Sequence, residues 1–182
     1  MHQIKAAEIE GVEFLEAINS SDSRGQFIKF HPNGLLEDLL SSVALSINPK
    51  AGTIRGIHLQ IQPFTEEKII SCIKGSTFEV LIDIRPDSRS FGKIATFELS
   101  QEDTTYVYLP KGIAHGFQTL LPETIVHYVL TSKHVPNYSL SIDPLGLLGI
   151  DWPIKELLIS EKDKAGVTLA FAAEKYAESL KS

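Results

Sequence analysis

The feature that most limits what this chain can become is the way its apolar residues are parcelled. From about residue 11 to residue 131 they come in short runs broken by Gly, Pro and Asp. The clearest run, 76–84, has apolar residues at 78, 80, 82 and 84, the twofold period of a strand. It begins after Gly75 and stops at Pro86-Asp87, a turn signal. The run 124–131 is rich in β-branched and aromatic residues. Shorter runs at 26–30, 42–48, 53–61, 67–74, 93–99, 105–109 and 116–121 read as further strands. Many short strands between such turns predict an antiparallel sandwich or barrel. Two amphipathic stripes predict helices: Leu35, Leu36, Leu39 and Leu40 after Pro32-Asn33-Gly34, and Leu169, Ala173, Tyr176 and Leu180 near the C-terminus. Both read as packing faces.

Length and charge narrow the function classes. At 182 residues, the chain fits one domain over 1–182 with a full core. With 17 Lys+Arg against 23 Asp+Glu, the formal charge is −6. That argues against a nucleic-acid partner but leaves room for an anionic ligand, because a few arginines can set a local field. The single cysteine, Cys72, rules out an internal disulfide and lies in an apolar run, where it reads as a small buried hydrophobe. The start Met1-His2-Gln3-Ile4-Lys5 has no apolar signal segment, and no apolar stretch approaches the roughly 20 residues of a membrane span. A cytoplasmic protein with no membrane partner is the expectation.

Ionisable residues recur inside the apolar strands, where burial requires partners. Arg55 and His58 fall in Gly52-Thr53-Ile54-Arg55-Gly56-Ile57-His58-Leu59-Gln60. Lys68 opens a strand after Glu66-Glu67. His115 follows Pro110-Lys111-Gly112-Ile113-Ala114, and Tyr128 follows His127. Taken singly, each has a plain structural reading: a satisfied core histidine, a solvated edge lysine, an ion-paired arginine, a core tyrosine. Taken together they fall into two segments resembling the half-motifs of cupins. Gly52, His58, Glu67 and Gly75 match the first, and the Pro-x-Gly-x-x-His of 110–115 matches the second. A metal-binding cupin would carry His-x-His in the first half. Here the second position is Gln60, although His58, Glu67 and His115 could still offer three ligands.

More ordered matches follow. Asp22-Ser23-Arg24-Gly25, Arg55-Gly56-Ile57-His58-Leu59-Gln60, Phe78-Glu79-Val80 through Asp83-Ile84-Arg85, Ser90-Phe91-Gly92-Lys93, Leu99-Ser100, Pro110 through Phe117, Gly149-Ile150-Asp151-Trp152-Pro153 and Ile159-Ser160-Glu161-Lys162-Asp163 resemble the dTDP-4-dehydrorhamnose 3,5-epimerase family over roughly residues 11–165. The resemblance implies a mainly β, cupin-like antiparallel β-barrel or jelly roll, with a few short helices including one at the C-terminus. It implies a metal-independent isomerase with no cofactor, a nucleotide-sugar substrate and a homodimer. By this resemblance His58 removes the proton beside the ketone and Asp163 orients it. Tyr128 returns a proton from the other face, and Lys68 stabilises the enolate oxygen. Arg24 and Arg55 hold the diphosphate side, Arg24 by reaching the neighbouring subunit's pocket. His115 lines the pocket, and Gln60 and Lys29 stand as further substrate-binding candidates.

The chemistry asks for these groups. A proton α to a carbonyl is weakly acidic, so charge must be stabilised where it develops. Imidazole titrates near working pH, a carboxylate fixes its tautomer, and inversion needs a second group on the opposite face. Arginine matches a diphosphate by paired hydrogen bonds.

Departures from the family pattern cluster in recognition. Lys29 stands where an acid is expected, 43–48 where polar side chains face the substrate, Leu59 for a tyrosine, Lys133-His134 for an aromatic pair, and Ser141-Ile142-Asp143 lacks a tryptophan. The resemblance therefore implies retained proton transfer at C3, C5 or both, with an altered nucleotide or sugar. A ketoisomerase on the same scaffold, a metal-dependent cupin enzyme and a non-catalytic binding module are the alternatives.

Overall fold

The computed structural model describes residues 8–23, 25–29, 42–147 and 149–181, with only the backbone of Asp22, Gly25, Phe27 and Lys29. Arg24 and the Leu35–Leu40 stripe lie outside the described residues. In chain order the strands are β1 (Glu13–Glu16), β2 (Ile18–Asp22), β3 (Gly25–Lys29), β4 (Ser42–Asn48), β5 (Thr53–Gln60), β6 (Lys68–Lys74) and β7 (Ser76–Asp83). There follow β8 (Ile94–Ser100), β9 (Thr105–Leu109), β10 (Ile113–Thr119), β11 (Thr124–Leu130), β12 (Ser139–Ser141) and β13 (Leu158–Ile159), then helices α1 (Glu161–Lys164) and α2 (Leu169–Ser179).

The strands build two sheets. One has the order β1-β9-β6-β11-β4, the other β12-β5-β10-β7-β8 with β13 added parallel to β5. β2 and β3 pair as a separate hairpin. Apart from β13, the strand pairings are antiparallel, mostly between strands that are not consecutive in the chain. Among the described residues no helix is long and apolar enough to cross a membrane.

Alternation sorts β7 between two cores. Val80, Ile82 and Ile84 join Ile54, Ile57, Trp152 and Tyr176, so the second sheet's outer surface is covered by the C-terminal segment and α2. Leu81 faces the other way and packs with Ile70, Cys72, Phe97 and Val107 between the sheets. Each side chain buried in this way contributes roughly 1.5–3 kcal/mol. Thr168 caps α2 by accepting a hydrogen bond from Phe171 N, and Ala172 and Tyr176 are its buried face.

The expected strands appear within a few residues of their sequence bounds. The run placed at 116–121 begins earlier, at Ile113, because Gly112 (φ 82°) makes the turn after Pro110 and pairing with β7 starts at once. β12 and β13 carry no strand pattern of their own; they form because β5 offers them edges.

Candidate active site

Between the two sheets lies a cleft of about 360 Å³. The six-stranded sheet contributes Arg55, His58, Leu59, Gln60 and His115, the other sheet Ala44, Ser46, Lys68, Tyr128 and Leu130. Glu66, His134, Ser139, Lys162 and Asp163 complete the wall. The structure thus gathers His58, Lys68, Tyr128, Asp163, Arg55, His115 and Gln60, which are scattered over more than a hundred positions of sequence. Lys29 is placed by its backbone opposite Ile18.

Strict alternation would send Arg55 and His58 to opposite faces of β5. The ladder with β10 prevents this. His58 stands opposite His115 and Arg55 opposite Phe117, so three steps on β5 match two on β10, a bulge. Gly56 makes it possible: its φ is 111°, and a Cβ there would lie 2.7 Å from Gly116 Cα and 2.8 Å from the His115 carbonyl oxygen. Two glycines in contact let the strands approach while both polar side chains turn into the cleft.

His58 Nε2 lies 2.6 Å from Asp163 Oδ1. Asp163 is buried in α1, where Ser160 caps the helix by accepting from Asp163 N, and Ser141 Oγ donates to Oδ1 at 3.1 Å. Burial alone would raise the Asp163 carboxyl. Hydrogen bonds from His58, Ser160 and Ser141, with the His58 charge, outweigh it and hold the group down to about 2. An ionised carboxylate only accepts, so Nε2 carries the hydrogen and the neutral ring keeps its lone pair on Nδ1.

His115 has its own carboxylate. Its Nε2 lies 2.6 Å from Glu79 Oε2, and Thr77 Oγ1 donates to the other oxygen at 2.5 Å. All three are buried. Burial lowers the His115 pKa against the pull of Glu79, and Lys68 and His58 add to the lowering.

On the facing sheet, burial and the Glu79 charge push the Tyr128 phenol well above 10, with Arg55 opposing. The group therefore holds its proton. Lys68 Nζ pairs with Glu66 Oε1 at 3.1 Å. Arg55 Nε donates to Asn48 Oδ1 at 2.7 Å, and Asn48 Nδ2 donates to the Ser46 and Thr124 carbonyls. Gln60 lines the cleft while its amide is engaged with backbone: Nε2 donates to Phe64 O and Lys133 O, and Oε1 accepts from Val135 N.

Several of these partners carried no sequence signal. Glu66, Ser141 and Asn48 sit in ordinary strand or turn contexts, and only pairing brings them in; Glu79 lay in a stretch that carried the resemblance, but without a role. Asn48 also refines the reading of 43–48: alternation turns Ala44, Ser46 and Asn48 inward, so one of the inward positions keeps an amide. Cys72 is buried with its thiol pushed up to about 12 by burial and by Glu79, which leaves it a packing residue. His127 stands opposite Leu45, away from the cleft lining.

The three ligands of the metal reading do not converge. Glu67 is not in the cleft lining and hydrogen-bonds with Tyr108, whose phenol burial and Glu67 raise to about 12. The Nε2 atoms of His58 and His115 each face their own carboxylate. Among the described residues no three His, Cys, Asp or Glu side chains group as a metal site.

Comparison with known proteins agrees with this geometry. The family model for dTDP-4-dehydrorhamnose 3,5-epimerase matches residues 6–170. The enzyme of that name from Sinorhizobium fredii is 31% identical over 174 residues, 91% of this chain and 88% of its own. A dTDP-4-dehydrorhamnose 3-epimerase from Streptomyces niveus is 30% identical over 94% of this chain and 86% of its own. Among solved structures, a dTDP-6-deoxy-D-glucose-3,5-epimerase from Legionella pneumophila in complex with dTDP-4-keto-L-rhamnose superposes with a TM-score of 0.84 at 32% identity, covering 92% of this chain and 93% of that one.

Proposed function

The chain belongs to the dTDP-4-dehydrorhamnose 3,5-epimerase family, and from that premise we propose that it epimerises a nucleotide-linked 4-keto-6-deoxyhexose at C3, C5 or both. The observation that carries this reading is that His58, oriented by Asp163, and Tyr128, a protonated phenol, stand on opposite walls of one cleft.

In this reading the His58 Nδ1 lone pair takes the proton α to the ketone. The electron pair moves onto the carbonyl oxygen as an enolate, and the Lys68 ammonium stabilises it. Tyr128 then gives its proton to the same carbon from the other face, inverting it, and is reprotonated from solvent. Asp163 stabilises the imidazolium and keeps the ring from turning. His115, lowered by burial, presents an uncharged ring. Arg55, exposed at the cleft and fixed through Nε by Asn48, offers its remaining N–H groups to the diphosphate. Arg24 and Lys29 belong to the same recognition set.

The wall positions Ala44, Ser46 and His134 set the substrate's periphery. Small side chains at 44 and 46 and an imidazole at 134, with the departures from the family pattern at Lys29 and Leu59, support a sugar or nucleotide other than the family's usual one. A homodimer is part of the proposal. β4 is an edge strand among the described residues, and its outward Val43, Leu45 and Ile47 are 58%, 54% and 57% exposed. Together with Ile125 and Val129, opposite Ile47 and Val43 on either side of His127, they make a largely apolar face that a second copy would cover. A cytoplasmic location also belongs to this reading, supported by the unpaired Cys72.

The test is incubation in D₂O with dTDP-4-keto-6-deoxyglucose, following deuterium at C3 and C5 by NMR beside His58→Ala. Exchange at both carbons, lost in the variant, is expected for a 3,5-epimerase; exchange at one carbon identifies a single-site epimerase. No exchange with this or the CDP-, UDP- and GDP-linked ketosugars sinks the proposal.

A further inference from the structure

We infer that Glu66 is a positioning residue for the reaction, the group that fixes the Lys68 ammonium in the cleft; this rests on the proposed role of Lys68.

Lys68 opens β6, and its side chain is 10% exposed; that of Glu66 is 11% exposed. Two charges removed from water this far are costly unless they face each other with good geometry. They meet at 3.1 Å, Nζ to Oε1. An ammonium on a four-carbon stem has many rotamers, and Glu66 is the ion-pair partner that fixes Lys68 among the described residues. The other Glu66 oxygen, Oε2, lies 3.5 Å from Gln60 Nε2, a packing contact, since both hydrogens of that nitrogen go to Phe64 O and Lys133 O. Gln60 is itself 3% exposed and tied to Phe64 O, Lys133 O and Val135 N, so its position is set. Glu66 therefore packs against a fixed amide, without a hydrogen bond from it, and meets the ammonium at the cleft surface. Electrostatic stabilisation of an enolate depends on a donor already in place when charge develops. A lysine free to swing into solvent would have to be reordered in each turnover. Glu66 touches Lys68 and Gln60, and no catalytic contact with substrate is assigned to it.

In the sequence Glu66 stands only as a neighbour of Lys68, whereas Glu67 falls in the first cupin half-motif. The structure separates the two. Glu66 lines the cleft while Glu67 turns to Tyr108.

A kinetic double-mutant cycle tests this, with Glu66→Gln, Lys68→Met and the double variant, each checked by thermal melting and circular dichroism, using the substrate that exchanges in D₂O. Glu66→Gln keeps the size and the packing against Gln60 but removes the charge. It should lower kcat about tenfold while changing KM less than about twofold, since a misplaced group affects the transition state rather than ground-state binding. In the Lys68→Met background the same change should leave kcat unaltered, because Glu66 acts through the lysine. Wild-type kcat in Glu66→Gln, or an equal loss in both backgrounds, overturns the inference and leaves Lys68 standing. Wild-type kcat in Lys68→Met overturns the role of Lys68 itself, and this inference with it.

Discussion

His58 and His115 stand opposite one another across the β5–β10 ladder, and each turns Nε2 to a different carboxylate at 2.6 Å. The two pairs differ in access. The His58 side chain is 39% exposed and its partner comes from a helix 105 residues away, whereas the His115 side chain is 3% exposed and paired with the neighbouring strand's Glu79. A base must release its proton as well as take one, so the open member suits proton transfer and the sealed member suits shaping the wall.

Asp163→Asn should keep the cleft's shape and lower kcat by about 10²- to 10⁴-fold, because the amide no longer enforces one His58 tautomer. The carboxyl is held near 2 against an ordinary 3.8. Its contribution to stability is therefore complete above about pH 4 and disappears as pH falls toward 2. Urea midpoints of wild type and variant should differ by a constant amount above pH 4 and converge below it. A gap that persists unchanged to pH 2 would contradict the assignment.

Tyr128→Phe keeps the ring and removes the proton. Turnover to epimerised product should fall about 10²-fold or more. Deuterium should still enter on the face served by His58, with configuration retained. NMR in D₂O separates the two outcomes, and unaltered epimerisation would remove Tyr128 from the mechanism.

Glu79→Ala leaves the buried His115 ring and the Thr77 hydroxyl without their partner, at a cost of about 2–5 kcal/mol. The His115 pKa is lowered from 6.5 by burial, so the unfolded chain takes up its proton first as pH falls. Stability should drop below about pH 6.5, and His115→Gln should drop less over the same interval. Chemical denaturation at pH 7.5 and 5.5 checks the difference.

Gly56→Ala should cost about 3 kcal/mol or more, combining a φ of 111° with contacts of 2.7 and 2.8 Å across the bulge. Gly92→Ala also has a positive φ, 76°, but nothing within 4 Å, so it should cost only about 1 kcal/mol. Thermal melting of the two variants separates backbone strain from steric contact.

Leu45→Lys places a charge in the middle of the exposed β4 face. Sedimentation velocity should show a dimer for the wild type and a monomer for the variant at low micromolar concentration. A wild-type monomer would leave the apolar face without this partner.

The strands could be read from the sequence because a period of two survives wherever one face is buried, as at Phe78, Val80 and Ile82. The helix at Leu169–Ser179 was legible for the same kind of reason, its stripe having a period near 3.6. His58, Lys68, His115 and Tyr128 stood out as ionisable or hydroxyl-bearing residues in apolar runs, where burial demands a partner. The partners themselves were hidden: a carboxylate such as Glu66 looks the same in a chain whether it meets water or a buried cation. Alternation even pointed the wrong way at β5, since Arg55 and His58 share a face only through a bulge at Gly56 that exists because Gly116 lies against it. The sequence by itself determined the local periods and the chemical types available, because both are properties of neighbouring residues. Which carboxylate meets which histidine, and which face each strand turns to the cleft, only the tertiary structure decided, because those depend on register between segments far apart in the chain.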